Sequence, residues 1–183
     1  MRLFIALDPS PEVCQNLERL LARLRPTARL RWSRPQNIHL TLKFIGEWPE
    51  SRLAELRQAL GDCAPPPTFQ VRVAGLGFFP NPRAPRVFWA GIAPCPELIQ
   101  FAGDIDLALA ALGVPREQRP YSAHLTLARI QGRTPLGELH QAIAGLGEAD
   151  FASFQPGGFF LYESRRGPAG SVYTRIGEFG WAR

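Results

Sequence analysis

The chain has 183 residues, 45% of them hydrophobic and 20% charged. That is the make-up of one compact folded unit and excludes a coiled coil, a collagen or a disordered tail. Twenty-one basic residues against 16 acidic ones give a net charge of +5, and every basic residue except Lys43 is arginine; this suits a phosphate-bearing partner such as nucleic acid or a nucleotide, although a GC-rich genome leaves the same surplus.

From the N-terminus, Arg2 to Ala6 is an apolar run of β type. Only five apolar residues separate Arg2 from Asp8, too few for a secretory signal. Pro11 then opens a helix with Val13, Leu17, Leu20, Leu21 and Leu24 on one face. After a proline-bearing connector comes the strand His39-Leu40-Thr41-Leu42, then a helix over about 50–60 and a strand over Phe69 to Leu76. The same series starts again. Arg86 to Ala90 is a β run, and Pro96 opens a helix with Leu98, Phe101, Ile105, Leu109 and Leu112 on one face. His124-Leu125-Thr126-Leu127 repeats the earlier tetrapeptide, a helix follows from Leu136 to Leu146, and Phe154 to Tyr162 is the closing strand. A last strand lies near 172–176.

The repeat keeps its register at an offset of 84 or 85 residues. By composition, a second copy of that tetrapeptide arises by chance on the order of once per thousand such chains. The expected fold is therefore α+β and internally duplicated: two lobes of mostly antiparallel sheet with outer helices, related by a pseudo-two-fold around a central cleft. A single bilobal domain over 1–183 is expected, with repeat halves at about 1–80 and 86–165. The longest stretch free of charge, Phe151 to Tyr162, has 12 residues, against the ~20 needed to span a bilayer. Cys14, Cys63 and Cys95 form no CxxC pair. A cytoplasmic protein with reduced thiols is expected. Nothing calls for an obligate protein partner, and a monomer is the simplest state.

Alternate residues of a strand share a face, so His39 and Thr41 point one way while Leu40 and Leu42 point into the core, and the second copy does the same. Of three histidines, two hold equivalent places in a duplicated motif, whereas His140 sits on a helix with no matching set. Two imidazoles facing one another, each beside a hydroxyl, suit in-line displacement at phosphorus. The entering oxygen loses a proton on one side of the phosphorus while the leaving oxygen gains one on the other. An imidazole pKa of about 6.5 makes either form accessible near neutrality, and the threonine hydroxyls can donate to non-bridging phosphate oxygens. By strand parity Lys43 falls on the His39 face and adds positive charge there. Spacing does not decide which histidine is the acid.

At these residues the chain resembles the 2H phosphoesterase superfamily, named for its two H-x-T-x motifs, and within it the RNA 2′,3′-cyclic phosphodiesterases, also called 2′-5′ RNA ligases. The likeness runs through Arg2 to Ala6, Asn37 to Glu47, Phe78-Phe79-Pro80 before Pro85-Arg86-Val87, and Tyr121 to Arg129. It implies that His39 gives a proton to the leaving ribose oxygen, that His124 activates water, and that Thr41 and Thr126 hold the phosphate. Arg129 also matches, yet its parity is opposite to that of His124, so a phosphate contact requires a twist or bulge. Phe44 and Tyr121 either stack on a base or pack in the core. The implied reaction is hydrolysis of RNA 2′,3′-cyclic phosphate ends to 2′-phosphomonoesters, with no metal and no cofactor, and reversible 2′-5′ ligation where a 5′-hydroxyl RNA is the nucleophile. The same chemistry on a small cyclic nucleotide or an ADP-ribose cyclic phosphate is the nearest alternative, and a non-catalytic RNA-end-binding protein is another. A phosphate-binding loop of the G-x-x-x-x-G-K-[ST] kind and an H-E-x-x-H metal motif are both missing.

Overall fold

In the computed structural model, which describes residues 1–168 and 170–181, nine strands and four α-helices alternate along the chain. Strand β1 (Arg2–Leu7) is followed by helix α1 (Pro11–Leu24), the two-residue strand β2 (Arg31–Trp32), β3 (Leu40–Glu47) and α2 (Leu53–Gly61). Next come β4 (Val71–Phe79), β5 (Val87–Ile92), α3 (Pro96–Ala110), β6 (His124–Arg129) and α4 (Gly137–Ala144), and then β7 (Asp150–Phe154), β8 (Gly158–Gly167) and β9 (Gly170–Gly180).

Local chemistry accounts for the helix starts. Ser10 precedes α1 and its hydroxyl accepts from the Val13 N–H at 3.3 Å, while Pro11 fills the first turn, where no N–H is needed. The five apolar residues at helical spacing in α1 are all buried. Pro96 opens α3 likewise, and its buried face includes one charged residue, Asp106. The segment before α2 is a single 3-10 turn, Glu50–Arg52, so this helix is shorter than its apolar spacing suggests.

The strands form a curled antiparallel sheet in the order β7-β4-β5-β6-β3-β1-β8-β9, with β2 paired to β6. Its centre is the β6/β3 seam, where Leu40 faces Leu125, residues that are repeat equivalents. Outward from the seam, β5 and β4 on one side mirror β1 and β8 on the other. Each spatial lobe therefore mixes the two halves of the chain, because β4 pairs with β5 and β8 with β1. The helices cross over too: α3 packs on β3 and α2, and α1 on β7 and α4. One continuous apolar core results.

Two strands differ most from the sequence expectation. The run expected over Phe154 to Tyr162 is two strands, because Gln155-Pro156-Gly157 breaks it, and β8 continues to Gly167. The last strand spans Gly170–Gly180 instead of about five residues. Its hairpin with β8 carries exposed Arg165, Arg166 and Val172, so apolar alternation does not mark it. Among the described residues no helix is long and apolar enough to cross a membrane.

Candidate active site

Both histidines stand next to the seam, His39 just before Leu40 and His124 just before Leu125. An antiparallel step from that pair sets His39 toward Thr126 and Thr41 toward His124. All four line one cavity of about 510 Å³.

What happens further along each strand depends on a β-bulge. Along the β1/β3 ladder the partner of Ile5 is Lys43 and that of Ala6 is Thr41, which leaves Leu42 as the extra residue. Along β5/β6 the partner of Phe88 is Ala128 and that of Trp89 is Thr126, which leaves Leu127 extra. Leu42 and Leu127 are repeat equivalents, so the bulge is duplicated with the motif. Past a bulge the alternation of faces reverses. Leu42 and Lys43 are consecutively buried, as are Leu127 and Ala128, and Phe44 and Arg129 turn onto the histidine face.

Arg129 thus lines the cavity by the bulge its parity required. Lys43 does not reach it. Its ammonium is buried on the opposite side, 2.6 Å from Asp106, 2.7 Å from the Pro115 carbonyl and 3.3 Å from Glu117. Phe44 lines the cavity and is 56% exposed. Tyr121 is not a wall of this cavity; its hydroxyl donates to the Thr41 carbonyl at 2.8 Å, and burial pushes its phenol far above the usual range, so it stays a donor. Ser33 does the reciprocal work, donating its hydroxyl to the Thr126 carbonyl at 2.7 Å. Each threonine is fixed by a hydroxyl from the other half of the chain.

The rings of the two histidines are held by aromatic neighbours. Phe4 stacks on His39 with centroids 4.7 Å apart, and Tyr173 meets its edge at 5.1 Å. Phe79 meets His124 edge-on at 5.0 Å. The Nδ1 of His124 lies 2.8 Å from the Ser122 carbonyl, and the His39 ring has a matching hydrogen bond to the Asn37 backbone. A neutral His124 that donates through Nδ1 carries its lone pair on Nε2.

Burial among these rings lowers the His39 pKa to about 4; the charge of Asp8 opposes the shift, Arg129 adds to it, and the Asn37 hydrogen bond opposes it. Burial also lowers His124, with Arg129 adding to that and the Ser122 hydrogen bond opposing it. Three arginines, Arg31, Arg34 and Arg129, line the cavity, and no carboxylate does among the described residues. The site can therefore accept an anion and place a donor and an acceptor of protons at its two ends. Tyr173, Ser171 and Asn37 also line it, the first two from the β8/β9 hairpin, and Asn37 donates to the Ser171 carbonyl at 2.9 Å. Sequence reasoning missed Ser171 and Tyr173 because the hairpin has no apolar period, and it read Asn37, in the turn before β3, only as part of the motif segment.

The family model described as LigT like Phosphoesterase matches the chain twice, at residues 7–89 and 92–173. An RNA 2′,3′-cyclic phosphodiesterase of Archaeoglobus fulgidus is 31% identical over 179 residues, covering 98% of this chain and 99% of that protein. Among solved structures, a protein of Thermus thermophilus superposes with TM-score 0.80 at 28% identity, covering 98% of this chain and 97% of that one. E. coli LigT complexed with 3′-AMP superposes with TM-score 0.76 at 25% identity, covering 100% and 98%.

Proposed function

The chain belongs to the LigT-like phosphoesterase family, and on that premise we propose that it is an RNA 2′,3′-cyclic phosphodiesterase that yields 2′-phosphomonoesters by two-histidine acid and base catalysis. One observation carries the reading: His39, Thr41, His124 and Thr126 converge from two copies of one motif on a single cavity with arginine and without carboxylate among its described walls. The curated relative's name supports the substrate, and the 3′-AMP complex of a structural neighbour supports a nucleotide in such a cleft.

The chemistry needs no other group. His124 takes a proton from water, which attacks the phosphorus, and His39 gives a proton to the ribose 3′ oxygen as its bond to phosphorus breaks. Thr41 and Thr126 donate to the non-bridging oxygens, and Arg129 offsets the charge that grows there. With the 5′-hydroxyl of a second RNA in place of water as the nucleophile, the same steps, again breaking the bond to the 3′ oxygen, give 2′-5′ ligation. Turnover of an RNA ending in a cyclic phosphate should persist in EDTA, because both proton transfers belong to side chains. A metal requirement would overturn the proposal.

The histidine shifts set the pH dependence. Since kcat/KM follows the free protein, and both imidazoles there lose their protons below 6.5 with His39 at about 4, kcat/KM should peak on the acid side of 6.5. A bound phosphate anion favours imidazolium, so kcat should peak at a higher pH than kcat/KM. Rates measured across about pH 4 to 9 check this, and two flat profiles would contradict it.

A further inference from the structure

A second cavity, of about 550 Å³, opens beside the catalytic one and shares Leu30, Arg31, Trp32 and Arg129 with it. Its remaining walls include Arg25, Arg29 and Gln131. Four guanidinium groups therefore line a recess with no carboxylate among its described walls. Arg25, Arg29, Arg31 and Arg129 are all exposed and make no side-chain hydrogen bond or ion pair among the described residues. Five arginines elsewhere in the described residues pair with acids, among them Arg52 with Glu55 and Arg72 with Asp150.

The segment that presents these cations is fixed. Arg25 begins a 3-10 turn, its N–H bound to the Leu21 carbonyl, and Thr27 donates to the Leu24 carbonyl at 2.7 Å. The Trp32 indole donates to the Ala28 carbonyl at 3.1 Å, and its ring packs edge-on against Phe88. Charges held on a rigid backbone lose little entropy when a ligand binds. Trp32 is half-buried and forms part of both cavities, so it offers a ring face at the passage between them.

A third recess, a groove of about 580 Å³ that also shares Arg129 with the catalytic cavity, includes Arg2, Arg165 and Arg166. It also holds Glu47, 3.7 Å from the N-terminal amine, and Glu163, 2.9 Å from Arg165. A polyanion there meets two carboxylates. In the Arg25/Arg29 recess it meets none among the described walls.

From this asymmetry we infer that the nucleotides preceding the cyclic phosphate end run past Trp32 into the recess lined by Arg25, Arg29 and Arg31, which binds their phosphates without regard to sequence. The inference rests on the proposed function for the end itself and adds the path of the strand. Stacking on an aromatic ring tolerates every base, and arginine contacts to phosphate carry no base information. The protein should then prefer a short single strand to a cyclic mononucleotide, and the preference should fade with salt.

The test compares a 2′,3′-cyclic mononucleotide with a tetranucleotide ending in the same group, for the native protein and for Arg25→Gln/Arg29→Gln. Both side chains are exposed and neither is a wall of the histidine cavity, so mononucleotide turnover should stay within about twofold. For the tetranucleotide, kcat/KM should fall about tenfold or more at low salt. Its log–log salt slope should shrink by about 1.4, at ~0.7 per phosphate of a single strand. Equal losses on both substrates, or an unchanged slope, would overturn the inference. If the native protein turned over neither substrate, the activity would be wrong, and binding of a fluorescent tetranucleotide bearing a 3′-phosphate would still decide the path. The double variant should weaken that binding about tenfold, and an unchanged Kd would refute the recess as a strand site.

Discussion

Alanine in place of either His39 or His124 should lower turnover of a cyclic-phosphate RNA end by about 10²–10⁴-fold, the usual worth of a positioned acid or base. The two effects should not multiply. Proton delivery and removal belong to one displacement, so once either imidazole is gone the other has little left to assist, and the double variant should be scarcely slower than the worse single one. The His39 variant also loses the ring that stacks on Phe4 at 4.7 Å, so its melting temperature must accompany the rate. A loss of activity with the melt intact assigns the effect to chemistry. Near-native turnover in either variant would remove the two-histidine mechanism.

The largest expected effect on stability lies away from the cavity, at Lys43. Its ammonium and the Asp106 carboxylate are 2.6 Å apart in residues 3% and 7% exposed, and Arg116 reaches the second Asp106 oxygen at 2.6 Å. Lys43→Met leaves that carboxylate buried with one partner gone, which for such pairs costs about 3–5 kcal/mol. Lys43→Met combined with Asp106→Leu should recover much of the loss, because the apolar pair has no charge to desolvate. Urea unfolding midpoints measure both, and a Lys43→Met midpoint equal to the native one would contradict the account. The pair also makes a claim about acid. Burial raises the Asp106 pKa, but hydrogen bonds from Lys43, Arg116 and the Glu117 N–H outweigh it and hold the carboxyl below 3.8. A carboxyl depressed in the folded state contributes stability above its unfolded value, and the contribution is lost as pH falls from 3.8 through the lower folded value. This loss should be absent from the double variant.

Lys43 and Arg129 mark where the sequence was legible and where it was not. The duplicated tetrapeptide exposed the two lobes, the α+β class and the convergence of His39, Thr41, His124 and Thr126, because register at a constant offset survives in the letters. Strand parity then placed Lys43 in the cleft and allowed Arg129 there only through a twist or bulge; the bulge is present and Arg129 lines the cavity, as the resemblance implied, whereas Lys43 does not. A bulge at Leu42 and its copy at Leu127 reverse the faces, and neither residue type announces a bulge. The exchange of β4 and β8 between lobes is likewise invisible, since nothing in a strand's own residues names its neighbour. Tyr121 could stack or pack on sequence grounds; its hydroxyl bond to the Thr41 backbone needed coordinates. Tyr173 lies in a hairpin whose exposed arms give no apolar alternation, so its place against His39 had no signal at all.

The most direct test of the central claim is the identity of the product. The purified protein is incubated in EDTA with a short RNA ending in a 2′,3′-cyclic phosphate, and the new end is resolved against 2′- and 3′-phosphate standards. The two-histidine cleft predicts a clean 2′-phosphate in the native protein and its loss in both histidine variants. A 3′-phosphate, a mixture of the two, or a 2′-phosphate still formed at the native rate without His39 or His124 would contradict it.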